Sequence, residues 1–230
     1  MRHGFATCIR GGANTLEAWA RYDPQNGHEA RRFYGAQDNG YLYDLTNWNC
    51  QPLYERIIAP LRKIEGEHVL IVGAGIGTEI EELQARNKVT VFELPGVLRD
   101  YLTWRRKRGH FNGKVEFMLG DDLPGALAAN GTHALSTVAA PSDVRLTSFD
   151  RVVLIDVIEH IHPDEFDETM DALAEVTNNF YIHANFHQLG SDGFPQHFDH
   201  TAAFNAWMQR YNIWHTGQFS FERATEQERV

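Results

Sequence analysis

The chain has 230 residues, 43% of them hydrophobic, with 31 acidic against 21 basic side chains and a formal charge of −10. That length accommodates one α/β domain with an appendage, and the charge opposes binding along a phosphate backbone unless cations are gathered locally. No apolar stretch reaches the about 18 residues of a membrane span, no signal-like apolar run follows the N-terminal Met1, and Cys8 and Cys50, which lack metal-like spacing, read as reduced thiols of a cytoplasmic protein.

Residues 1–48 are polar and aromatic, with Phe33, Tyr34, Tyr41, Tyr43 and Trp48 set among Gly, Asn and Asp. They read as an irregular extension in which only residues 14–21 have helical character. The aromatics either pack on the main domain or roof a substrate, and Tyr41, Tyr43 and Trp48 are the substrate-facing candidates. The domain proper covers residues 49–230. Residues 49–63 read as one helix, with Pro52 in its first turn and Leu53, Ile57 and Leu61 on a single apolar stripe.

His68–Val72 is a short buried strand, and Gly73, Gly75 and Gly77 follow it at once. A helical pattern opens at Thr78. Strand, glycine turn and helix start together make a place for a nucleotide cofactor. The glycine spacing is G-x-G-x-G, not the G-x-G-x-x-G of dinucleotide enzymes. Glu79, Glu81 and Glu82 fall in the first turn, where acids suit the helix dipole, and they read as pointing away from the core.

The second strand, 89–93, ends in Glu93 with Leu94 beside it. At a strand's carboxyl end an acid can accept two hydrogen bonds from a ribose diol. Residues 95–109 form the next helix; its basic run, 105–108, reads as a solvated face. A third strand, 114–120, ends in Asp121 and Asp122. Residues 123–148 are a short helix and a surface loop. A fourth strand, 149–156, leads into Val157-Ile-Glu-His-Ile-His162, and a helix starts at Pro163. After a fifth strand, 179–186, comes a loop holding His187, His197 and His200. A helix with Phe204 and Trp207 follows, then an antiparallel strand at 218–222. The pattern predicts an α/β fold: a Rossmann-like, doubly wound, mostly parallel sheet with helices on both faces.

Glycine turn, strand-end Glu93, the Asp121–Asp122 pair and Asp156-Val-Ile-Glu-His160 resemble the class I S-adenosylmethionine (SAM) methyltransferases over roughly residues 50–222. The resemblance implies SAM as cofactor. Gly73, Gly75 and Gly77 would pass along its methionine part, Glu93 and Leu94 would meet the ribose, and Asp121 with Asp122 would meet the adenine edge. Asp156 would lie close by. There are two departures: Val72 ends the first strand where the family often has an acid, and the terminal strand hairpin looks shortened.

A Glu-x-x-Glu-His motif of the ubiquinone-pathway O-methyltransferases and the small-RNA 3′-terminal methyltransferases holds a divalent ion. The similar residues here are Asp156, Glu159 and His160, with His200 as the downstream ligand. Asp156 is one methylene shorter than the family's first Glu. The alternative is that Glu159 and His160 only shape the wall of the site. The function implied is methyl transfer to a small-molecule acceptor, at oxygen. His160 would be the general base, Glu159 and Asp156 its catalytic partners, and His197 a substrate neighbour. Alternatives are a small-RNA 2′-O-methyltransferase, disfavoured by the charge, an NAD(P)-dependent oxidoreductase, disfavoured by the glycine spacing, and a non-catalytic SAM-binding subunit. Neither nucleic acid nor membrane is expected as a partner; a homodimer is left open.

Overall fold

The computed structural model describes residues 15–37, 39–129, 148–186 and 197–224. The segment read as an irregular extension is helical where it is described: α1 Thr15–Tyr22, α2 Gly27–Gly35 and α3 Asn39–Asn49. Asn26 caps α2 by accepting the Glu29 N–H at 2.9 Å. Trp19 meets Phe33 edge to face at 5.0 Å, and these two rings with Ala30 form a small core of their own. Tertiary burial of aromatics, not local propensity, sets these helices.

The single helix expected over 49–63 is broken. α4 spans Pro52–Ile58 and a 3-10 turn takes Ala59–Lys63, because Pro60 lacks the N–H that would continue the ladder. Ile57 and Leu61 are buried as the stripe predicts, but Leu53 is 45% exposed and Tyr54 and Ile58 complete the inner face.

Strands β1 His68–Val72, β2 Lys88–Phe92, β3 Val115–Met118, β4 Arg151–Ile155 and β5 Asn179–His183 pair in parallel. β6 Ile213–His215 and β7 Ser220–Arg223 form a short hairpin whose second strand runs antiparallel to β5. The order is β3-β2-β1-β4-β5-β7-β6. The hairpin that looked shortened is therefore present, only with strands of 3 and 4 residues.

The remaining helices are α5 Thr78–Leu83, α6 Val97–Lys107, α7 Leu123–Ala129, α8 Pro163–Val176 and α9 Thr201–Tyr211. The period of two along the central strands sorts their side chains between two cores. Leu70, Val152, Leu154 and Phe180 join Phe166, Met170 and Trp207 on the face of α8 and α9. Val69, Ile71, Val153 and Tyr181 join Ile57, Ile80 and Leu102 on the face of α4, α5 and α6.

The N-terminal helices are fastened over the carboxyl ends of the strands by a close backbone approach. A Cβ on Gly96, which has φ +138, would lie 2.4 Å from the Gly35 carbonyl oxygen, and a Cβ on Gly35 would lie 2.7 Å from the Pro95 oxygen. Gly96→Ala is expected to cost about 1–3 kcal/mol through backbone strain and to lift α2 from the β2–α6 connection. A lowered denaturation midpoint with earlier proteolytic cutting near residue 35 would show this; an unchanged midpoint would count against the contact.

Candidate active site

β1 and β4 are neighbours whose following strands lie on opposite sides, so a crevice opens at their carboxyl ends. The turn after β1 fills this crevice, and its three glycines all have positive φ. Gly75 is the position facing open space: with φ +54, an added Cβ would meet only a Leu45 methyl, at 3.5 Å. The turn is clamped from behind by Arg105, which donates to the Ile76 carbonyl at 2.7 Å and pairs with Glu81. Arg105 lies over the Phe111 ring at 4.9 Å and is only 11% exposed in its side chain. The basic run is thus not uniformly solvated: its first member supports the turn, while Arg106, Lys107 and Arg108 are exposed.

A cavity of about 340 Å³ runs from this turn to the start of α8, within the roughly 300–1,000 Å³ of small-molecule sites. Its floor is the glycine turn, Glu93, Leu94 and Asp156; α2 and α3 supply the roof through Tyr34, Tyr41 and Trp48; His160 stands in its wall. Three structural choices place these groups. β2 ends at Phe92, and Glu93 turns back to accept the N–H of Gly75 at 2.8 Å and of Leu94 at 3.0 Å. Asp156 follows β4 with φ 53, its Oδ1 accepting His183 Nδ1–H at 2.6 Å and its Oδ2 accepting Trp48 Nε1–H at 2.9 Å. Ile158–His160 then makes a 3-10 turn that brings His160 Nδ1 to 2.7 Å from the Tyr34 hydroxyl.

The predicted site residues divide accordingly. Gly73, Gly75, Glu93, Leu94, Asp122, Asp156, His160, Tyr41 and Trp48 line the cavity. Gly77 is buried behind the turn, where an added Cβ would meet Leu102 at 2.9 Å. Asp121 is exposed outside the cavity; Asp122 borders it while accepting the Gly125 N–H at 2.6 Å in the first turn of α7. Tyr43, on the same helix as Tyr41, is not in the lining. His197 also lies outside the lining, packed edge to face on His160 at 4.6 Å; burial pushes its imidazole down to about 4. His187 lies outside the described residues.

Glu159 is wholly buried and not in the cavity. Its Oε1 accepts the Asn185 N–H at 2.9 Å and its carbonyl accepts the Phe198 N–H at 2.7 Å. It ties β5 and the segment before α9 to the site wall, and burial raises its carboxyl to about 7. His200 is turned away, with Nε2–H donating to the Ile161 carbonyl at 2.8 Å and its ring stacked on Phe166 at 4.4 Å. Among the described residues no three His, Cys, Asp or Glu side chains are grouped to hold a metal ion. The set Asp156, Glu159, His160 and His200 is therefore not gathered: two members are committed to internal hydrogen bonds outside the cavity. The donors do not fit a bound ion.

One site residue runs against the sequence reading. Glu79, read as pointing away from the core, is 5% exposed and lines the cavity. The buried Tyr54 hydroxyl donates to its Oε1. Desolvation raises its carboxyl to about 7, with Asp156 and Glu93 nearby adding to the shift; Glu93 is raised to about 7 by burial as well. The signal available was Tyr54 at the apolar spacing of α4, whose hydroxyl needs an acceptor once buried.

No protein-family model and no curated protein matches the chain. Solved structures do. An O-methyltransferase family protein from Burkholderia thailandensis superposes with a TM-score of 0.52 at 11% identity, over 92% of this chain and 64% of that one. The 1,6-didemethyltoxoflavin N1-methyltransferase of the same organism, bound to 1,6-didemethyltoxoflavin and S-adenosylhomocysteine, gives 0.44 at 15% identity, over 72% and 62%. The N-terminal domain of EvdMO1, with S-adenosylhomocysteine bound, gives 0.45 at 17% identity, over 82% and 85%. The chain spans less than two thirds of the length of the two Burkholderia proteins. The fold is that of the class I SAM-dependent methyltransferases.

The raised Glu79 carboxyl has a measurable consequence. Its folded value, about 7, exceeds the 4.5 of an ordinary glutamate, so the folded state holds this proton more tightly. Its contribution to stability is complete below about pH 4.5 and is lost as pH rises to about 7, at ~1.4 kcal/mol per pH unit. Relative to Glu79→Gln, wild type is expected to lose stability between about pH 5 and about pH 7 in chemical denaturation. A pH-independent difference would contradict the burial.

Proposed function

We propose that the protein is a SAM-dependent methyltransferase acting on an oxygen of a small-molecule acceptor. The observation that carries this reading is the charge of the cavity. Glu79, Glu93 and Asp156 line its glycine-turn end, and among the described residues the one Lys or Arg in the lining, Arg31, is at the other end and paired with Glu165. A ligand bringing its own positive charge suits such a wall; a dinucleotide would bring two phosphates against it. The roof of α2 and α3 favours an acceptor small enough to be enclosed.

Bound SAM supplies a methyl group on a sulfonium, which an acceptor oxygen attacks with loss of S-adenosylhomocysteine and of the acceptor's proton. The chain's own residues align and deprotonate. Alignment is worth up to ~7–11 kcal/mol when both reactants are held. Gly75 would leave room for the cofactor chain, Glu93 would accept ribose hydroxyls, and the Asp122–Leu123 corner would meet the adenine. His160 takes the proton. Burial, with Tyr41 and Glu159 nearby, pushes the Tyr34 hydroxyl well up, so it stays neutral. In the tautomer with Nδ1 protonated, His160 donates to the Tyr34 oxygen, and Nε2 carries the lone pair that accepts the acceptor's proton. Tyr34 thereby holds the ring orientation.

Calorimetric titration with SAM and separately with NADH tests the cofactor: SAM is expected to bind and NADH not, and the reverse would overturn the reading. His160→Ala is expected to reduce turnover about 10²–10⁴-fold with SAM affinity retained. Undiminished turnover would remove His160 from the proton transfer.

A further inference from the structure

Three carboxylates border the glycine-turn end of the cavity, and their hydrogen bonding differs. Both oxygens of Asp156 are engaged, by His183 and by Trp48. Both oxygens of Glu93 are engaged, by the N–H groups of Gly75 and Leu94. In Glu79 only Oε1 is engaged, by Tyr54; Oε2 is buried and has no hydrogen-bond partner. A buried acceptor left without a donor is costly, of the order of 1–3 kcal/mol and more when charged. It marks the place where a ligand donor completes the set.

The donor must be cationic and must carry N–H groups. Asp156 and Glu93 already surround Glu79 with negative charge, so a neutral donor would leave the three-carboxylate repulsion in place. A sulfonium has charge but no proton to give. An ammonium has both. Position agrees. Glu79 is the second residue of α5, just beyond the turn, and shares the cavity wall with Gly73, Ala74, Gly75 and Ile76. β1 itself ends in Val72, so no acid precedes the turn on that strand.

The geometry points to Glu79 as the ligand of the α-ammonium group in the methionine part of SAM, reached from the helix after the glycine turn. The Tyr54 hydroxyl holds Oε1 and leaves Oε2 as the acceptor for that group. This inference rests on the reading of the cofactor as SAM, and two ligands separate the two claims. One is S-adenosylhomocysteine. The other is its analogue with hydrogen in place of the amino group.

Wild type is expected to bind S-adenosylhomocysteine roughly 10–100-fold more tightly than the analogue, as befits a hydrogen bond between charged groups. Glu79→Gln is expected to lose most of that difference, binding the analogue as wild type does and S-adenosylhomocysteine no better. Equal weakening of both ligands by Glu79→Gln would overturn the assignment and leave Glu79 a structural partner of Tyr54. Binding of neither ligand by wild type would overturn the SAM reading and this inference with it. A measurement on wild type alone guards against a poorly folded variant. The groups facing the Glu79 carboxyl are Tyr54, its own backbone N–H, Asp156 and Glu93. The preference for the amino ligand should grow as pH rises through about 7, where Glu79 ionises. A pH-independent preference would refute the pairing.

Discussion

Asp156 is the constraint on which the site depends. A left-handed backbone costs an ordinary L-residue roughly 1–2 kcal/mol, less for aspartate, and here it ends β4 and turns the chain across the top of the sheet. Three hydrogen bonds hold the conformation. The Asp156 N–H reaches the His183 carbonyl at 2.9 Å, while the side chain takes His183 Nδ1–H and Trp48 Nε1–H. One residue therefore joins the central strand, its neighbour β5 and the helix α3 that roofs the cavity. The turn that follows it, Ile158–His160, inherits its direction from that joint, and so does the His160 ring. Asp156 is better described as the positioning residue of the wall than as a metal ligand.

The second constraint is charge. Elsewhere several acidic side chains find cations: Arg62 bridges Glu55 and Glu82, Arg151 meets Glu67, and Arg210 meets Asp167 and Asp171. In the cavity the glycine-turn carboxylates do not, although the chain has basic residues near enough to be used. Arg99 and Arg105 both reach this corner, but Arg99 donates to the backbone carbonyls of Glu93 and Gly120, and Arg105 to the Ile76 carbonyl and the Glu81 carboxylate, so neither forms an ion pair with a cavity carboxylate. Clustered, desolvated carboxyls without a counter-ion lower the stability of the empty protein, and such perturbed groups gather at functional sites. A cationic ligand offsets that cost only when it is bound.

The roof and the chemistry are not separable. Five polar contacts from the N-terminal helices land on a residue of the site or next to one: Tyr34 on His160, Trp48 on Asp156, Asn49 on Thr78, Arg31 on Glu165, and the Gly27 N–H on Asp164 at the start of α8. An acceptor that displaces α2 moves the tyrosine that holds the His160 ring. Recognition of the acceptor and activation of its proton thus pass through the same hydroxyl.

The legibility of the chain follows from which interactions are local. β1 and β4 read clearly because strands buried on both faces need unbroken apolar runs, and the glycine turn reads clearly because its residues are specified by backbone conformation. Glu93 was legible because a strand end fixes its position. The roof was not: α2 and α3 owe their burial to Trp19, Phe33 and Tyr34 meeting each other and Phe198, contacts no local period encodes. Glu79 was hidden for a sharper reason. A glutamate in the first turn of a helix has a sufficient local explanation in the dipole, and its real environment is made by Tyr54, 25 residues away, and by the ends of β2 and β4. The metal set failed in the same way. Asp156, Glu159 and His160 are adjacent in sequence, but the 3-10 turn sends Glu159 inward to Asn185 and His160 outward to Tyr34, so neighbours along the chain face opposite sides of the wall. Where a local rule already accounts for a residue, only the fold can show that it has a second partner.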